Sequence, residues 1–138
     1  MYSVSITRLR LRSYLYLPLF MLHAMRSSRQ AAAADGIFGF ETRNEAGRVF
    51  WTKTIWSEET NMKRFRGSGA HQLAMRLLSS ICDEAAYTRW TQDSPELPTW
   101  EEAHSRMLRE GHLSKVKHPS PLHAAGQTAP PLPGPGAA

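Results

Sequence analysis

The spacing of hydrophobic and polar positions changes several times along the chain, and each change marks an element. Residues 3–12 (SVSITRLRLR) come close to alternation, with Val4 and Ile6 on one face and Leu9 and Leu11 on the other. This predicts a strand with a bulge near Thr7. From Tyr14 to Ala34, Leu17, Phe20, Met21, Ala24 and Met25 follow helical spacing, and the alanine-rich end favours helix. The helix is expected to start near Pro18 and stop at Gly36, because Pro suits a first turn and Gly the residue after the last.

Residues 37–43 (IFGFETR) and 49–56 (VFWTKTIW) are rich in aromatic and β-branched types, and Asn44, Glu45, Ala46 and Gly47 supply a turn between them. On the second strand of this hairpin Phe50, Thr52, Thr54 and Trp56 point one way, and Val49, Trp51, Lys53 and Ile55 the other. Both faces are partly apolar, so each should meet another layer. Ser57 is the expected cap of a helix carrying Glu58 and Glu59 in its first turn. After Met62 and Phe65 comes Gly67-Ser68-Gly69, followed by the amphipathic stripe Leu73, Ala74, Leu77, Leu78 and Ile81. Glycine inside a helix is destabilising by about 1 kcal/mol, so the break marks a kink or short loop, and close approach of another group would justify it. A fourth strand is expected over 85–91. Thr99 and Glu102 then form a capping box that opens a helix from Trp100 to about Glu110.

The order β-α-β-β-α-β plus a terminal helix is the split βαβ, ferredoxin-like arrangement of an α+β domain covering 1–117. Two helices cover one face of such a sheet, and a twin subunit is expected to bury the other. Six of the nine prolines fall between Pro119 and Pro135, in a stretch without Lys, Arg, Asp or Glu. Residues 118–138 are therefore expected to be a disordered Pro/Gly/Ala-rich tail.

Composition narrows the functional classes. A chain of 138 residues with 41% hydrophobic and 21% charged positions is one globular domain's worth. Its one cysteine, Cys82, forms no internal disulfide and holds no structural zinc alone, which suits a reducing, cytoplasmic setting. Five of the 17 basic residues (Arg8, Arg10, Arg12, Arg26, Arg29) precede the first acid, Asp35. The 12 that remain match the 12 acids, so the whole excess of +5 lies in the first 34 residues. The alternating arginines read as a solvated strand face rather than a nucleic-acid stripe. The apolar run Tyr14–Met25 imitates a secretory signal, but it contains Pro18, is too short to span a bilayer, and is separated from Ala31–Ala34 by charged residues. It reads as a buried helix, with no membrane association.

The run Phe50 to Trp56, then Met62 and Phe65, then Gly67-Ser68-Gly69-Ala70-His71 and Met75, then Asp83-Glu84-Ala85, resembles the dimeric α+β barrel superfamily. Within it the phrase is similar to the antibiotic-biosynthesis-monooxygenase-like and spheroidene-monooxygenase-like branch, over roughly residues 3–117. The resemblance implies a homodimer whose sheets close into a barrel, with a pocket in each protomer between sheet and helices. It implies monooxygenase-like chemistry on an apolar or aromatic small molecule, cofactor-free or haem-linked. Fold transfers further than function, and a non-enzymatic ligand-binding or interaction protein on the same barrel is the alternative. No G-x-G-x-x-G fingerprint for a flavin or nicotinamide is present.

His71, directly after the glycine break, is the candidate catalytic residue, since an imidazole beside a pocket moves protons near neutral pH. It could equally stabilise the kinked helix. His71 and Met75 are spaced i and i+4, so they cannot take opposite axial positions on one haem, and only single-His ligation is simple. Trp51, Trp56 and Trp90 are candidates to line an aromatic pocket, or else to fill core and interface. Arg66, like Arg64, could clamp an anionic substrate or lie on a solvated face. No His, Cys, Asp or Glu set has metal-motif spacing, so no metal is expected.

Overall fold

The structure, a computed structural model, describes residues 1–45 and 47–132. Its elements run β1 (Tyr2–Leu11), α1 (Leu17–Ala32), β2 (Ile37–Glu45), β3 (Val49–Trp56), α2 (Glu59–Arg66), α3 (Gly69–Ile81), β4 (Cys82–Gln92), α4 (Trp100–Glu110), β5 (His112–Leu113) and α5 (Pro121–Ala124). The strands form one antiparallel sheet in the order β2-β3-β1-β4-β5, the expected ferredoxin-like α+β arrangement with a short fifth strand at one edge. A 3-10 turn over Tyr14–Tyr16, capped by the Ser13 hydroxyl, leads into α1. The expected hairpin turn includes Ala46, which lies outside the described residues.

Cross-strand register sorts the side chains into two layers. Opposed residues share a face, so Val4, Ile6 and Arg8 of β1 lie with Ile55, Lys53 and Trp51 of β3 and with Trp90, Thr88 and Ala86 of β4. This face packs against Ala103 and Met107 of α4 and against Ala129. The opposite face meets α1, α2 and α3. Leu9, Leu11 and Phe50 pack there on Phe20 and Ile81, and Trp56 packs with Ala31, Met62 and Phe65.

Several expectations change. The second sheet face, assigned to a twin subunit, is covered by α4 and by residues of the chain's own C-terminal segment. Pairing runs evenly through Thr7, and the irregularity falls between Arg10 and Leu11. No bulge at Thr7 is needed, because β1 is central and both of its faces are covered. The fourth strand, expected over 85–91, opens earlier, at Cys82. Ser57 makes no cap to the backbone of α2; its hydroxyl accepts from Asn61.

The arginine row is a solvated face only at Arg12. Arg8 is only 2% exposed and pairs with Glu84 at 2.8 Å, while Arg10 donates twice to Asp83. The acids that pair with Arg8 and Arg10 lie far along the chain on β4, which is why counting charge by sequence position misplaces them.

Residues 118–132 of the expected tail make specific contacts, and its remainder, 133–138, lies outside the described residues. The Ser120 hydroxyl donates to Glu84 at 2.7 Å, and Ser120 N–H donates to the Asp83 carbonyl. Thr128 donates to the Met107 carbonyl, and His104 bonds the Pro130 carbonyl through Nε2 at 2.8 Å. A proline-rich segment has few N–H groups to satisfy, so a handful of side-chain bonds and one buried alanine are enough to seat it.

Candidate functional site

Between the helical layer and the sheet lies a cavity of about 440 Å³. Its floor follows from period two: Ser5 and Thr7 on β1, and Thr52 and Thr54 on β3, project from the same face. Register aligns Thr42, Thr52, Thr7 and Tyr87 in one row across four strands, and Phe40, Thr54, Ser5 and Arg89 in the next. The floor is thus hydroxyl-bearing. The walls are apolar, from Phe20 and Ala24 on α1, Met62 and Phe65 on α2, and Leu77 and Leu78 on α3.

His71 lines this cavity from the first turn of α3. The glycine break positions it through a residue the sequence reading missed. Gln30, near the end of α1, donates from Nε2 to the Phe65 and Ser68 carbonyls and accepts the His71 backbone N–H at 2.8 Å. Gly69 has φ +58, and a Cβ there would press on the Gln30 side chain, so glycine permits the approach. The His71 ring packs on Phe65 with centroids 4.4 Å apart and the planes tilted by 44°. Its Nδ1 lies 3.3 Å from the Arg66 carbonyl, which only accepts, so Nδ1 carries the proton in this contact. In the neutral ring Nε2 then holds the free lone pair. Burial pushes the imidazole below its ordinary range; the Arg66 carbonyl pulls it back up, and the Arg66 charge pushes it down. Neutral His71 is the form favoured at pH 7.

Of the other predicted residues, the cavity gathers Trp56 and Arg66 and leaves out Trp51 and Trp90. Trp56 donates from Nε1 to the Thr54 hydroxyl at 2.9 Å, fixing one wall. Trp51 and Trp90 face the other way, where Trp51 packs on His104 and Trp90 stacks under Arg106. Alternation decides this, since Trp51 and Trp56 are an odd number of residues apart on one strand. Sequence reasoning also missed the hydroxyl floor, legible as Ser-x-Thr on β1 and Thr-x-Thr on β3. It missed Arg89 on β4, whose guanidinium lies 4.3 Å from the Tyr87 ring centroid. Burial and the nearby Arg66 charge hold Arg89 below the usual guanidinium range, while Tyr87 and Glu59 act the other way.

His71 and Met75 both line the cavity from α3, one turn apart, and do not form a two-ligand haem site. Among the described residues no three His, Cys, Asp or Glu side chains cluster to hold a metal ion. No described helix is long and apolar enough to cross a membrane.

No protein-family model matches the chain, and no curated protein matches it by sequence. Solved structures do. SnoaB from Streptomyces nogalater, described as a cofactor-independent oxygenase, superposes with TM-score 0.56 at 10% identity, covering 67% of this chain and 94% of its own. A putative antibiotic biosynthesis monooxygenase from Nitrosomonas europaea gives TM-score 0.60 at 10% identity, covering 68% and 92%. Rv0793 from Mycobacterium tuberculosis gives 0.60 at 16%, covering 68% and 97%. At such identities the likeness establishes fold and leaves activity to the site. The chain has the ferredoxin-like α+β fold that these three structures share.

Proposed function

We propose that the protein binds an apolar or aromatic small molecule in the cavity between sheet and helices and oxidises it with dioxygen, without a bound cofactor, with His71 handling the proton. The observation that carries this reading is the imidazole itself. It is disposed to be neutral, its Nδ1–H is committed to the Arg66 carbonyl, and it stands at the wall of an apolar cavity. Nε2 would take a proton from an activated methylene of an aromatic ketone. The resulting carbanion reduces dioxygen; one oxygen atom ends as a new carbonyl on that carbon, and the other leaves as water with the two hydrogens. Trp56 and the hydroxyl floor bind the ring system, and SnoaB's description as cofactor-independent supports the absence of a resident redox group.

Oxygen uptake with a panel of aromatic ketones bearing activated methylenes tests the reading. Turnover by the natural protein that collapses in His71→Gln is expected; equal turnover by both removes His71 from the reaction. Binding without chemistry is the second reading, favoured by one observation: among the described residues no Asp or Glu lines the cavity to share the proton work with His71. A ligand recovered unchanged after aerobic incubation would select it.

A homodimer belongs to the same proposal. Its support is the apolar surface left uncovered on the outer side of the helical layer, where Leu15, Leu22 and Met25 are exposed. Light scattering at micromolar concentration should give twice the chain mass, and a monomer would remove this element. A cytoplasmic location is proposed from the lone thiol, and an intact N-terminal mass from cell extract would agree with it.

A further inference from the structure

The break over Gly67, Ser68 and Gly69 leaves helix-end groups on both sides that need hydrogen-bond partners. Ser68 stands at the N-cap of α3 with an extended backbone, but its hydroxyl donates back to the Arg64 carbonyl at 2.8 Å and caps nothing in α3. A side chain from another element takes that role. Gln30 Oε1 accepts the His71 N–H at 2.8 Å, while Nε2 donates to the Phe65 carbonyl at 3.2 Å and to the Ser68 carbonyl at 2.9 Å. One amide on α1 thus serves the end of α2 and the start of α3 together.

The chemistry of that brace is specific to the amide. Glutamate would keep the acceptor and lose the donor, lysine would do the opposite, and leucine would lose both. Asparagine offers both groups on a stem one methylene shorter. Gln30 does not line the cavity, so whatever it does for the site it does through His71.

The His71 ring depends on the same joint. Its packing partner Phe65 and its Nδ1 partner, the Arg66 carbonyl, both belong to α2, whereas its own backbone belongs to α3. Gly67 and Gly69 make the connection between the two compliant. The Nδ1 contact, at 3.3 Å, is already at the long limit of a hydrogen bond, so a small swing of α3 against α2 loses it. That contact decides which ring nitrogen carries the proton. While it is held, the hydrogen stays on Nδ1 and the lone pair on Nε2. Once it is released, the ring returns to the preference of free histidine in water, with the hydrogen on Nε2 and no base there.

We propose that Gln30 is the positioning residue of the site: by bracing α2 against α3 it fixes the Nδ1–H tautomer of His71 and leaves Nε2 free to accept a proton. The proposal rests on the reading of His71 as the proton-handling group, and adds what keeps that imidazole in the competent form.

The imidazole can be read directly, without a substrate. Long-range proton–nitrogen correlation spectra at pH 8, with the His71 signals identified by their absence in His71→Gln, should show a protonated Nδ1 and a bare Nε2 in the natural protein. Gln30→Leu should move the population toward Nε2–H. Gln30→Glu, which still accepts the His71 N–H but donates nothing, should move it the same way, and thermal melting reports whether each variant is folded. In the natural protein the Gln30 side-chain N–H groups should exchange with solvent about tenfold more slowly than those of exposed Gln72, the equivalent of one net hydrogen bond. Where turnover is found, Gln30→Leu should lower kcat in proportion to the lost tautomer and leave KM unchanged. A tautomer unaltered in the folded variants makes Gln30 a brace of the fold alone and overturns the proposal. Gln30 amides exchanging as freely as those of Gln72 overturn it in the natural protein, whether or not a variant folds. Nε2–H in the natural protein overturns both the proposal and the reading of His71 as the base. A tautomer that shifts as expected while no ketone is turned over upholds the role of Gln30 and sinks the oxidation.

Discussion

Replacing Glu84 by alanine should be among the most damaging single changes in the protein. Glu84 is 3% exposed, and its carboxylate receives Arg8 at 2.8 Å on one oxygen and Ser120 at 2.7 Å on the other, with Arg10 at 3.5 Å. Removing it leaves the Arg8 guanidinium, 2% exposed, with the Thr128 carbonyl at 3.4 Å as its remaining hydrogen-bond partner. Breaking a buried pair from one side costs about 3–5 kcal/mol, because the surviving charge stays buried without compensation. Urea unfolding at pH 7, followed by tryptophan fluorescence, should show that loss. The double change Arg8→Met/Glu84→Leu should recover most of it, since both charges are then gone.

The pH dependence gives a second reading of the same site. Burial pushes the Glu84 carboxyl up, but the Ser120 hydroxyl, the Arg8 bond and the charges of Arg8 and Arg10 more than offset it and hold the group below its ordinary range. A depressed carboxyl contributes stability that is fully present above the unfolded value, about 4.3 for Glu, and is lost as pH falls through the folded one. The natural protein should therefore weaken below that point more steeply than the alanine variant. A loss no larger than the roughly 1 kcal/mol of an exposed pair, or an identical acid decline in both proteins, would refute the reasoning.

Thr54→Val strips the Trp56 indole of its hydrogen-bond acceptor and should cost about 1–3 kcal/mol in the same unfolding assay. Cys82, fully buried and with its thiol pushed up to about 12 by burial and then by Asp83, should resist a thiol reagent at pH 8 in the folded protein and react at once in denaturant. If turnover is found, its acid limb should fall below the ordinary imidazole value of 6.5, because His71 must be neutral to act as a base and its folded value is lowered. Arg66→Gln should move that limb toward higher pH, as one source of the lowering is the Arg66 charge.

The element order was readable because the period of the hydrophobic pattern changes sharply at Ser13, Gly36, Ser57 and Gly67. The terminal helix was equally legible from Thr99, whose hydroxyl accepts the Glu102 N–H. The site was half legible. His71 and Trp56 announced themselves by the glycine break and by strand alternation, and both reach the cavity. Gln30 and Arg89 did not, because each owes its place to a neighbour at least thirty residues away or to a cavity created only by packing. The tail shows the limit of composition as evidence. Ser120 is an unremarkable serine among prolines until β4 brings Glu84 beneath it.

The position of β1 has a consequence for how the molecule is made. This first-synthesised strand sits at the centre of the sheet, pairing Ser3 with Trp56 on one side and Tyr2 with Gln92 on the other. On a ribosome it has no neighbour until β3 emerges, and its second edge stays open until the end of β4 has cleared the exit. Through that interval Phe20 of α1, which packs with Ile81 and Cys82 in the finished fold, stays uncovered. Refolding of the full chain should accordingly be governed by long-range strand pairing, in about milliseconds to seconds rather than microseconds. Chains halted before Gln92 should be the ones that chaperones hold.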